Sequence, residues 1–154
     1  MGDRSLEARV DELESRAAIA DLIAGYCEGV DQKNDARFLG LWHDEAEYLI
    51  PGGRGNFYGM DGIRQSLVVI AGAWARTWHW TTNHTVSFQD ADHATGRSDV
   101  FAICEKHEDA GTCLVSATYE DVYERRDGQW KFTRRLTQRW FVSTPQDIPL
   151  PPPA

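Results

Sequence analysis

The hydrophobic pattern of this chain changes period once, after Trp74, and that change limits what the chain can fold into. Before it, Leu6, Val10, Leu13, Ala17, Ala20, Ile23, Ala24 and Cys27 recur at steps of three and four, which predicts an amphipathic helix from Ser5 to about Val30. Asp35 to Trp42 predicts a short helix, and MDGIRQSLVVIAGAW, residues 60–74, predicts a third. Between them HDEAEYLI reads as a strand ended by the PGGRG turn cluster. After Trp74, apolar and polar residues alternate in four long runs near 77–89, 95–107, 112–126 and 129–142, broken by QDADH, HEDAG and Asp127-Gly128. Helices first and an antiparallel meander afterwards give an α+β domain, with helices packed on one face of a strongly bent sheet.

A length of 154 residues suits one domain, over 1–142, with PLPPPA closing an extended proline-rich arm over 143–154. The apolar repeat in the first half of the long helix covers too few heptads for a coiled-coil seam, so packing on its own domain is expected there. A formal net charge of −8, with no dense Lys/Arg run, argues against nucleic acid as a partner. No window approaches the roughly 20 apolar residues of a membrane span. MGDRSLEARVDELE lacks an apolar signal core, so a cytoplasmic protein with no membrane partner is expected. Cys27, Cys104 and Cys113 are odd in number and lack CxxC spacing, which reads as reduced thiols. The five histidines show no recognised ligand spacing, and no metal is expected.

Chemistry is concentrated in two places. Residues 77–85 read TWHWTTNHT, and alternation puts Trp78, Trp80, His84 and Val86 on one face and Thr77, His79, Thr81, Asn83 and Thr85 on the other. The last run does the same, with Trp130, Phe132, Leu136 and Trp140 opposite Lys131, Thr133, Arg135, Thr137 and Arg139. In the first helix Ala20, Ile23, Ala24 and Cys27 form a stripe whose next member is Asp31. Burial and the helix C-terminus both disfavour a carboxylate there. Two readings stay open: a buried Asp31 serving a purpose, or a helix that stops earlier and leaves it in a solvated turn with Gln32, Lys33 and Asn34. The same holds for His79, a hydrogen-bonded structural residue or a general base oriented by Asp31 in a cavity.

SRAAIADLI leading to GVDQK, then LWHDEAEY, then the histidine of WHWTTN, then YERRDGQWKF, resembles the SnoaL-like branch of the NTF2-like superfamily. Within it the chain is most similar to the γ-hexachlorocyclohexane dehydrochlorinase group and more distantly to the scytalone dehydratase and bile-acid 7α-dehydratase groups. The resemblance implies a cone of helices on a strongly curved, mostly antiparallel sheet enclosing a hydrophobic cavity, and an Asp-His dyad at Asp31 and His79. It implies an arginine assisting the leaving group at Arg135, as in the dehydrochlorinases, or at Arg139, as in the bile-acid enzymes. The dehydrochlorinases carry a lysine where this chain has Tyr26, and a phenol suits a departing hydroxyl better than a halide. Tyr48, Trp74, Trp78, Phe101 and Tyr119 fall where the family lines its cavity.

The resulting expectation is a cofactor-independent lyase, a dehydratase or dehydrohalogenase, acting on a small apolar cyclic substrate. The alternatives are a ketosteroid-isomerase-like proton shuttle and a non-catalytic small-molecule-binding protein. The resemblance also implies a homotrimer.

Overall fold

The computed structural model describes residues 5–108 and 111–145. Helix α1 spans Leu6–Asp31 and is capped by Ser5, whose hydroxyl accepts from Ala8 N at 3.2 Å. Its second half buries Ile19, Leu22, Ile23, Tyr26 and Val30. Its first half leaves Leu6, Val10 and Leu13 exposed, so apolar packing on the chain's own domain is confined to the half that follows Ser15. The inward stripe is also rotated from the expected one. Ala20 and Ala24 are exposed, because Leu22 and Tyr26 have more apolar surface to bury and take the inner face.

Helix α2, Asp35–Leu39, is shorter than its expected span: Gly40 follows it, and Trp42 already opens strand β1, Trp42–Ile50. Strand β2, Gly55–Tyr58, is too short for alternation to reveal. Helix α3, Gly59–Ala73, packs across β1 and β2. Four long strands follow, β3 at Arg76–Phe88, β4 at His93–Glu105, β5 at Thr112–Arg126 and β6 at Gln129–Ser143. The turn between β5 and β6 has Asp127 and Gly128 left-handed at φ +51° and +75°, as a two-residue type I′ hairpin requires. Residues 146–154 of the expected tail lie outside the described residues.

The six strands form one open sheet in the order β2-β1-β6-β5-β4-β3. It is antiparallel except where β1 runs parallel to β6, setting Tyr48 beside Arg135. The inner face and the helices share a core of aromatic and aliphatic side chains that includes Phe38, Trp42, Tyr123 and Phe132. Arg125 joins α1 to the sheet by binding Asp11 at 2.7 Å and Asp92 at 2.9 Å.

Bulges correct the expected faces. In β3 the register shifts between Thr82 and Thr85, with Asn83 left-handed at φ +54°. One extra residue turns the strand over, so His84 shares the inner side with Val86 and Phe88 instead of the tryptophan face. In β6, Val122 pairs Arg134 while Tyr123 pairs Phe132, which leaves Thr133 as the extra residue. Phe132 and Arg135 therefore face the same way, and the Arg135 guanidinium lies 4.4 Å from the Phe132 ring centre.

Candidate active site

Asp31 is the last residue of α1, and its side chain is 9% exposed. The solvated-turn reading fails because three donors converge on the carboxylate: Thr77 Oγ1 at 2.8 Å, His79 N at 2.8 Å and His79 Nδ1 at 2.6 Å. Thr77 and His79 are two apart on β3, so their side chains share a face, and the backbone of the same strand supplies the third donor. Burial pushes the Asp31 carboxyl up, but the bonds from His79 and Thr77 outweigh burial and hold it below the usual carboxylate range. An ionised Asp31 fixes the imidazole proton on Nδ1 and leaves Nε2 as an acceptor.

The imidazole opens on a cavity of about 80 Å³ whose wall includes Tyr26, Tyr48, Trp74 and Tyr119. Tyr26 and Tyr48 meet hydroxyl to hydroxyl at 2.5 Å, and the Tyr26 ring stands edge-on to His79 with centres 6.4 Å apart. Burial drives the Tyr26 phenol well above its ordinary range, so it is neutral at physiological pH and available as a donor. Tyr48 and Tyr119 are raised by the same desolvation.

Arg135 is fully buried and does not reach the cavity surface. Asp121 grips it with two bonds of 2.8 Å, to Nε and Nη2, and accepts a third from Tyr123. The guanidinium carbon lies 4.3 Å from the centre of the Tyr26 ring and 4.1 Å from that of Tyr119, so one layer of aromatic rings separates the charge from the cavity. Its Nη1 has no hydrogen-bond partner among the described residues. Desolvation alone would lower its pKa, but Asp121 holds it raised and charged.

Tyr26, Tyr48, Trp74 and Tyr119 thus stand around His79, and besides Arg135 three other expected site residues do not. Trp78 is 54% exposed and Phe101 39% exposed on the outer face of the sheet, where inward-facing His79 and Ala102 force their neighbours. Arg139 is exposed at the rim, its guanidinium against Gly52 of the β1–β2 turn. Thr77 and Arg54 are among the lining residues that the expected set lacks. Thr77 was legible from its parity with His79; Arg54 was not, because its reach from the turn to the Trp74 ring, 5.0 Å from the ring centre, depends on loop geometry.

The remaining histidines are elsewhere. His43 meets Glu124 O at 3.0 Å, His107 meets Ala71 O at 2.8 Å and His93 pairs with Asp90 at 2.9 Å. Among the described residues no cluster of three or more His, Cys, Asp or Glu could hold a metal, and no helix is long and apolar enough to cross a membrane.

The structure thus lays helices on an open sheet, with a carboxylate and an imidazole meeting over an aromatic cavity. The chain belongs to the SnoaL-like family, whose SnoaL-like domain its residues 11–136 match. Hexachlorocyclohexane dehydrochlorinase 1 of Sphingobium indicum is 36% identical over 126 residues, covering 81% of each chain. The crystal structure of a type 2 hexachlorocyclohexane dehydrochlorinase, LinA, superposes with a TM-score of 0.85 at 34% identity, over 94% of this chain and 98% of the other. A cystatin-like protein from Nostoc punctiforme, at 20% identity and a TM-score of 0.72 over 85% of this chain and 94% of the other, shares the fold.

Proposed function

We propose that the chain is a cofactor-independent lyase that removes a proton from carbon and expels water or HX from a small apolar cyclic substrate. The observation that carries this reading is the 2.6 Å contact of His79 Nδ1 with Asp31 at the wall of an aromatic cavity. The relatives' names give it a direction, since dehydrochlorination is a lyase reaction.

In the proposed reaction His79 Nε2 takes the proton, the C–H electron pair becomes the new π bond, and the leaving group departs from the adjacent carbon with its own bonding pair. Asp31 stabilises the imidazolium that forms. Tyr26 donates a hydrogen bond to the departing oxygen, and the proton held on His79 completes the water. Arg135 supplies positive potential through the Tyr26 and Tyr119 rings, which favours negative charge developing in the cavity. A neutral phenol at Tyr26 suits a departing hydroxyl better than a halide, so loss of water is favoured over loss of chloride.

The test is a panel of γ-hexachlorocyclohexane and cyclic β-hydroxy ketones, followed by chloride release, water loss and double-bond position. Asp31→Asn and His79→Ala should each lower turnover by about 10²–10⁴-fold with little change in substrate affinity. Undiminished turnover in His79→Ala would remove the catalytic assignment. Double-bond migration without water loss would make the protein an isomerase, and affinity with no turnover would make it a binding protein.

We also propose that the chain assembles as a homotrimer through the outer face of the sheet. The support is the set of large apolar side chains exposed there, Trp78, Trp80, Phe101, Ile103 and Trp140.

A further inference from the structure

The cavity at His79 opens into a larger space. Val30, Ile70, Trp74 and Thr77 line both the cavity and a groove of about 570 Å³ between the end of α1, α2, α3 and the start of β3. The inner cavity, at about 80 Å³, has room for a single ring. Any substrate larger than that must continue into the groove.

The charge of the groove is opposite to that of the chain. Over the whole sequence Asp and Glu outnumber Lys and Arg by 24 to 16, whereas the groove sets Lys33, Arg64 and Arg76 against Asp35 alone. Arg76 is engaged by Glu105. Lys33 and Arg64 have no carboxylate partner among the described residues, so their charge is open to a ligand. Lys33 also occupies the first position past the α1 cap, at φ +53°, a left-handed conformation that glycine adopts without strain. A cation at the groove stands where the backbone alone would favour glycine. The rest of the wall is apolar, with Leu39, Leu67, Val68 and Trp74 able to cover the methylenes of a chain.

We infer that the groove binds an anionic tail of the substrate, a carboxylate or phosphate on a chain attached to the ring that enters the inner cavity. This deepens the lyase reading by confining its apolar part to the ring and adding a charged tail, and it rests on that reading for the identity of the ring site. The ring is seated beside His79, the chain passes Trp74, and Lys33 and Arg64 take the anion at the outer end.

Isothermal titration of the full chain with three ligands tests this: 5-cyclohexylpentanoate, 5-cyclohexylpentyl phosphate and the uncharged 5-cyclohexylpentanamide. At low salt one or both anions should bind about three- to tenfold more tightly than the amide, the range that one or two exposed ion pairs supply. The stronger of the two anions identifies the tail. The preference should shrink in about 0.5 M NaCl and disappear in Lys33→Gln/Arg64→Gln, with the amide affinity unchanged. An amide that binds as well as both anions, absence of binding by all three included, overturns the inference, as does a preference that survives in the double variant. Asp31→Asn should keep the anion preference. Turnover surviving in Asp31→Asn would end the lyase reading without touching the binding result, so the two failures are read on separate measurements.

Discussion

A fully buried guanidinium is tolerated at Arg135 because Asp121, itself buried, meets it with a planar two-bond contact. Removing only the acid leaves an uncompensated charge among three aromatic rings. Asp121→Ala should therefore destabilise the fold by about 3–5 kcal/mol, read as a lowered urea midpoint. Asp31 carries a second prediction at this scale. Its carboxyl is held below the ordinary range when folded, so the unfolded chain takes up a proton at higher pH than the folded one. The stabilisation is fully present above the unfolded value of about 3.9 and is lost as pH falls through the lower folded value. The wild type should unfold at a higher urea concentration than Asp31→Asn near neutral pH, with the gap closing below about pH 4. A gap that stays constant across that range would mean that the charge of Asp31 contributes nothing.

The bulge at Asn83 governs which face of β3 is buried beyond it. Asn83 is the extra residue, so deleting it restores strict alternation with His84 opposite Ser98 and leaves His84, Val86 and Phe88 inward. The deletion variant should therefore keep cooperative thermal unfolding in circular dichroism. Asn83→Gly should shift stability by no more than about 0.5 kcal/mol, because glycine suits the left-handed backbone and only an exposed bond to Asp99 is lost. The same bulges mark where sequence reading reaches its limit. Alternation located β3 to β6 to within a few residues, and Asp127-Gly128 marked its hairpin, because both signals are local. Alternation sorts residues into two faces without saying which is inner; it sets Trp78 opposite His79, and the expectation that Trp78 and Phe101 line the cavity comes from the resemblance and fails because both face outward. The parallel pairing of β1 with β6 joins residues roughly ninety positions apart, and nothing local announces it. Asp31 and His79 are 48 apart, so the residues alone leave their pairing as one of two open readings, and it is the resemblance that favours it.

At the scale of the whole molecule the sheet has two apolar faces and one set of helices to cover them. Helices cover the inner face; on the outer face Trp78 pairs with Ile103 and Trp80 with Phe101, and Trp140 is 66% exposed. A monomer would leave these side chains in water, and a closed cyclic assembly would bury them without an open edge for further growth. For a proposed trimer of 17.4 kDa chains, light scattering should give about 52 kDa at micromolar concentration. Trp80→Glu places a carboxylate in the centre of the patch, and its burial without a partner would cost several kcal/mol, more than a marginal interface can absorb. The variant should scatter as a monomer while its circular dichroism stays that of the folded chain, since Trp80 has no inward contact to lose. A wild type that scatters as a monomer at the same concentration would show that the outer face is not a self-association surface.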